Sequence, residues 1–192
     1  MTTRILALVG SLRASSFNRR LADAAVKHAP DGIDVEVFEG LAEVPLYNED
    51  LDRPDIVPGP AQALRDAVRS ADALLLVTPE YNGGIPAGVK NAIDWTSRPF
   101  RFGAIVDKPV AVIGTSHGQY GGVWAHDDTR KSARVAGAHV LDDIALSVPH
   151  CDERFATTHP ADDDEVAGAM PEILAAVAAA ARATTEAAPQ KP

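Results

Sequence analysis

Between the apolar run Ile5-Leu6-Ala7-Leu8-Val9 and a helix-spaced segment from Leu21, the chain reads Gly10-Ser11-Leu12-Arg13-Ala14-Ser15-Ser16-Phe17-Asn18. That loop gathers three serine hydroxyls, an asparagine amide, one guanidinium and a glycine. An apolar run passing straight into a helix is the pattern of a buried parallel strand and its crossover. Free N–H groups at a helix start, joined by hydroxyls and one arginine, suit a phosphate. With so few charges, a terminal phosphomonoester fits best. The lysine motif of a nucleotide-triphosphate loop is missing, and so is GxGxxG. The same residues also serve as ordinary helix caps, with Arg13 solvated. The loop alone leaves both readings open.

Two further loops carry chemistry. Thr78-Pro79-Glu80-Tyr81-Asn82-Gly83-Gly84-Ile85-Pro86-Ala87-Gly88-Val89-Lys90-Asn91-Ala92-Ile93-Asp94-Trp95 follows the apolar run Ala73–Val77. Gly114-Thr115-Ser116-His117-Gly118-Gln119-Tyr120-Gly121-Gly122 follows Pro109–Ile113. Together with GSLRxxSxN, these stretches resemble the NADPH-dependent FMN reductase family, which includes bacterial quinone, chromate and azo-dye reductases built on the flavodoxin-like fold. The resemblance spans roughly residues 4 to 150, and the middle motif is its most specific part. Leu46-Tyr47-Asn48-Glu49-Asp50 also resembles the family's loop after the second strand.

The resemblance implies a ligand set. Ser11, Arg13, Ser16 and Asn18 would hold the FMN phosphate, with Phe17 among them. Pro79, Glu80, Tyr81, Asn82 and Gly83 would line the isoalloxazine, and Thr115, Ser116, His117 and Gly118 would close its other side. Glycines 83 and 84 would let main chain approach a flat ligand. No side chain is assigned a catalytic role and no metal is expected, because a flavin carries its own redox chemistry. The implied cofactors are FMN and NADPH or NADH. The implied reaction is ping-pong transfer of two electrons to quinones, azo compounds, flavins or oxidised metals. The competing reading is a flavodoxin-like electron carrier that does not oxidise NAD(P)H itself. A receiver domain of the same fold needs acidic residues where this chain has Gly10-Ser11.

Other reactive residue types are read as structural. HExxH and CxxC spacings do not occur. His28, His126, His139 and His159 are assigned to surface or packing. Cys151 has only His150 beside it, with no histidine or helix start placed to activate it. Asn91, Asp94 and Trp95 are read as packing or interface residues.

Strands and helices alternate to position these loops. Strands are expected at about 4–9, 33–38, 73–78, 109–113 and 140–146, and helices at about 18–29, 61–71, 86–96 and 121–137. A last helix is expected from Pro171 to Thr184, because proline suits a first turn. Residues 39 to 60 read as a long, functional or mobile loop. The alternation implies an α/β protein with an open five-stranded parallel sheet and helices on both faces. Ligands then belong at strand carboxyl ends. The resemblance supplies the strand order 2-1-3-4-5. Residues 1–185 are expected to form one FMN-binding domain, with 186–192 a frayed tail.

Composition narrows the partners. At 192 residues with a net charge of −9, the chain does not suit a nucleic-acid or anionic membrane surface. The sequence reads as holding no 18-residue apolar run, so neither a membrane span nor a signal peptide is expected. The single cysteine suits a reducing cytoplasm. The resemblance implies a homodimer. It carries less far toward a tetramer, since Val148-Pro149-His150-Cys151-Asp152 replaces a glutamate-containing segment of tetrameric relatives. Val89, Ala92, Ile93 and Trp95, with Val123, Trp124 and Val135, are expected to supply the paired helices.

Overall fold

The computed structural model describes residues Thr2–Ala187. Strands β1 (Thr3–Val9), β2 (Ile33–Val37), β3 (Ala73–Val77), β4 (Pro109–Thr115) and β5 (His139–Val148) form one sheet in the order β2-β1-β3-β4-β5. Every pairing is parallel. This is the flavodoxin-like order, and the chain switches direction across the sheet between β1 and β3. Between them run α1 (Phe17–Lys27), α2 (Gly59–Ser70), α3 (Ala87–Thr96) and α4 (Val123–Val135), and α5 (Cys151–Arg154) and α6 (Asp164–Ala187) follow β5.

Alternation along the central strands divides the core in two. Ile5, Ala7, Val9, Leu75 and Val77 face α1 and α6. Leu6, Leu8, Leu74 and Leu76 face α2 and α3. Both faces are covered, which is why β1 and β3 read as unbroken apolar runs. In α1, Ala22, Ala24 and Ala25 are fully buried beside Leu21, so small side chains bring the helix close to the sheet.

Several boundaries differ from the sequence reading. Helix α6 begins seven residues before Pro171, which lies inside it. Asp163 Oδ1 accepts from the Val166 amide at 3.1 Å and starts the helix. The turn gained buries Val166 and Met170 beside Leu174 and Val177. That burial outweighs a proline penalty of about 3 kcal/mol. Contrary to the hydropathy expectation, α6 is long and apolar enough to cross a membrane, with a mean hydropathy of 1.4. Its apolar stripe packs on the sheet as a core helix. It also extends past Glu186, and residues 188–192 of the expected tail lie outside the described residues.

Residues 39–60 are anchored. Buried Arg65 donates to Asp52 at 2.9 Å and to the Trp95 carbonyl at 2.8 Å, and Trp95 Nε1 donates to Pro45 O at 2.7 Å. Asn91 Oδ1 accepts from the Tyr47 amide at 2.7 Å. Asn91 and Trp95 are thus packing residues. Val89, Ala92 and Trp95 are fully buried in their own core, so α3 does not offer them to a partner.

Candidate active site

The first loop is held at both ends. Gly10 N donates to Val77 O at 2.8 Å, fixing it to β3. Ser16 is the α1 cap: its Oγ accepts from Arg19 N at 3.2 Å and its carbonyl from Arg20 N at 3.1 Å. The amides of Phe17 and Asn18 precede the first intrahelical bond, among the orphan donors of a helix start. Arg13 is exposed and its Nη2 donates to Ser15 O at 3.1 Å. Buried Asn18 clamps the main chain of the third loop, donating to Thr115 O at 2.9 Å and accepting from Thr115 N at 3.0 Å.

The second loop is a tight hairpin. Tyr81 and Gly84 exchange amide–carbonyl bonds of 3.3 and 3.1 Å. Asn82 (φ 54°) and Gly83 (φ 72°) between them are both left-handed. This is the Asn-Gly signature of a two-residue I′ turn. Turn geometry therefore accounts for Gly83, where the sequence reading invoked close ligand approach. Tyr81 stands half exposed beside it. Glu80 Oε2 accepts from the amides of Trp124 and Ala125 at 3.1 and 3.2 Å. It caps α4, whose own cap residue, Gly122, has no side chain to do so. The sequence reading missed this link. Its signal is a helix opening on Gly121-Gly122 with no Ser, Thr, Asp or Asn in place.

The third loop is bound to the chain after β5. Thr115 Oγ1 donates to Val148 O at 2.7 Å, Ser116 N to Val148 O at 3.2 Å and Cys151 N to Ser116 O at 3.1 Å. Exposed His117 lies with Nδ1 3.4 Å from Asp152 Oδ1. Cys151 is buried close to both, its sulfur, the His117 nitrogen and the Asp152 oxygen lying within 4.8 Å of one another. Burial pushes the Cys151 thiol up, and the Asp152 charge adds to this. Beneath the loops His126 is fully buried, with Nδ1 2.8 Å from Ser147 Oγ and Nε2 3.3 Å from Thr78 O. Burial pushes its imidazole down to about 4, so it is neutral at neutral pH.

Ser11, Arg13, Ser16, Phe17, Asn18, Pro79, Glu80, Tyr81, Thr115, Ser116 and His117 line one pocket at the carboxyl ends of β1, β3 and β4. Asn82, Gly83 and Gly118 stand outside its lining, and Cys151 joins it. Orphan amides, serine hydroxyls and a guanidinium on one rim match a phosphate. The one acidic side chain in the lining, Glu80, is already directed to α4. The donor set fits FMN at the sheet's switch point.

Comparison with known proteins agrees with this geometry. Residues 3–153 match the family described as NADPH-dependent FMN reductase. A quinone reductase of Pseudomonas putida is 41% identical over 128 residues, covering 67% of this chain and 68% of that protein. A 2-hydroxy-1,4-benzoquinone reductase of a Burkholderia species is 36% identical over 155 residues, covering 81% and 83%. Among solved structures, the flavoenzyme NAD(P)H:(acceptor) oxidoreductase FerB of Paracoccus denitrificans superposes with a TM-score of 0.84 at 28% identity, covering 95% of this chain and 99% of its own. Fold, pocket and sequence converge, and the chain belongs to the NADPH-dependent FMN reductase family, as an oxidoreductase whose cofactors are FMN and NAD(P)H.

Proposed function

We propose that the chain reduces quinones with NAD(P)H by a ping-pong mechanism, with FMN in the pocket formed by the three loops. The observation that carries this reading is the convergence of those loops, which are distant in sequence, on one pocket at the switch point. Quinones come first among acceptors because the relatives named above are quinone reductases. Azo compounds, free flavins and oxidised metals are further acceptors of the same site.

When bound, FMN supplies the two-electron chemistry, accepting a hydride from the nicotinamide and passing electrons to the acceptor. The chain's own residues bind and orient. Ser11, Arg13, Ser16 and the Phe17 and Asn18 amides hold the phosphate. Asn18, through Thr115, fixes the spacing between the phosphate loop and the loop beside the ring. Pro79, Glu80 and Tyr81 form the ring's second wall, held rigid from outside the lining by the Asn82-Gly83 I′ turn and by the Glu80 cap. Thr115, Ser116 and His117 complete the enclosure. Nicotinamide and acceptor share one open face and therefore follow one another. A second copy of the chain covers that face, giving a homodimer that excludes water from the ring.

Initial rates with NADPH and a benzoquinone, varied together, test the mechanism. Parallel double-reciprocal lines are expected. Intersecting lines would refute sequential occupation of one face. Oxidation of NADPH that starts only when a separate reductase is added would favour the electron-carrier reading.

A further inference from the structure

His117 on the third loop, already placed beside the flavin, also meets Cys151 and Asp152 on α5, two residues to which the flavin reading gives no role. One imidazole nitrogen, one thiol sulfur and one carboxylate oxygen lie within 4.8 Å of one another. The His117 Nδ1 to Asp152 Oδ1 distance is 3.4 Å. Two nitrogen or oxygen ligands about 2.0–2.1 Å from one tetrahedral ion stand about 3.4 Å apart. The pair is thus spaced for a shared ion with little movement, and the sulfur lies within 4.8 Å of both atoms. The two segments are also fixed to each other by main-chain bonds, Cys151 N to Ser116 O at 3.1 Å and Ser116 N to Val148 O at 3.2 Å. The ligands therefore come from a braced frame.

We propose that His117, Cys151 and Asp152 bind a borderline-soft divalent transition ion, Zn2+ above all, at the edge of the pocket. The thiol selects against Mg2+ and Ca2+, which take oxygen ligands, and the mixed sulfur, nitrogen and oxygen set is that of zinc or cobalt. Three protein ligands leave one position for water or an incoming anion. Both His117 and Cys151 line the pocket, so the ion borders the space assigned to the flavin. The site does not depend on that assignment, because all three ligands belong to this chain and none acts through the flavin.

The test uses the purified flavoprotein, stripped of adventitious metal by a chelator and titrated with Co2+. The expected result is saturation at one ion per chain, with thiolate-to-cobalt charge transfer and tetrahedral ligand-field bands to the red of the oxidised flavin. Zn2+ should displace the cobalt and Mg2+ should not. Cys151→Ser should abolish the charge-transfer band, and His117→Ala should weaken binding at least about tenfold. His117 is exposed, so its variant reads the site even where Cys151→Ser impairs folding. Absence of sulfur charge transfer, or cobalt affinity unchanged in His117→Ala, would overturn the proposal. Flavin content measured on each variant keeps this outcome separate from any loss of FMN.

Discussion

Arg13 stands on the exposed rim with, among the described residues, only the Ser15 carbonyl as hydrogen-bond partner, so its guanidinium is available to a phosphate. Replacing Arg13 with Ala should weaken FMN binding by about 1.5–3 kcal/mol, the worth of a charge-assisted hydrogen bond, read by flavin fluorescence titration. An unchanged dissociation constant would return Arg13 to the solvent. His126 gives a pH signature of another kind. Its folded pKa, about 4, lies below the ordinary value of 6.5. Above about pH 6.5 the imidazole is neutral in both states and costs nothing. As pH falls from there toward 4, the unfolded chain takes up a proton that the fold refuses, and stability drops by up to about 3 kcal/mol. Urea unfolding between pH 7 and 4 should show this slope, and His126→Gln should flatten it. The sequence left His126 at the surface or in packing and had no means of showing its burial or its partners, Ser147 and Thr78, which lie far along the chain. His117 and Cys151 escaped for the same reason: they meet only because α5 folds back beneath the β4 loop.

At the scale of elements, Glu80 joins the second loop to α4. Glu80→Ala removes an acceptor from two helix-start amides and a negative charge from a helix N-terminus. Stability should fall by about 1 kcal/mol even without flavin, measured as a lowered urea midpoint at unchanged slope. Full stability in that variant would mean water caps α4 as well. Pro171 is the converse case, a residue poorly suited to its helix. Pro171→Ala should raise stability by about 1 kcal/mol through the restored main-chain bond, offset in part by a freer unfolded chain. The central strands β1, β3 and β4 were legible because two-sided burial writes itself as continuous apolar runs. The start of α6 was not, because proline favours a first turn locally while burial of Val166 and Met170 decides globally. The four-residue α5 was too short for any periodicity to reveal.

For the whole molecule, one group of exposed apolar side chains lies near α4 and the loop before β4. Phe100, Phe102, Trp124 and Val135 are all more than half exposed. A cleft of about 410 Å³ runs between α3 and α4, lined in part by Lys90, Phe100, Lys131 and Val135. These features support a second copy on this side, although α3 buries the residues the sequence reading had assigned to the contact. Sedimentation at micromolar protein should give a dimer of the 20.2 kDa chain. A fully active monomer would contradict a pocket completed by a partner. The three loops were legible because each follows an apolar run, while the strand order came from the family resemblance alone. Their convergence required the sheet. The most direct test of the three-loop pocket compares FMN with riboflavin on the flavin-free protein. FMN should bind far more tightly, since only its phosphate meets Ser11, Arg13, Ser16 and the α1 amides; equal affinities would contradict the site.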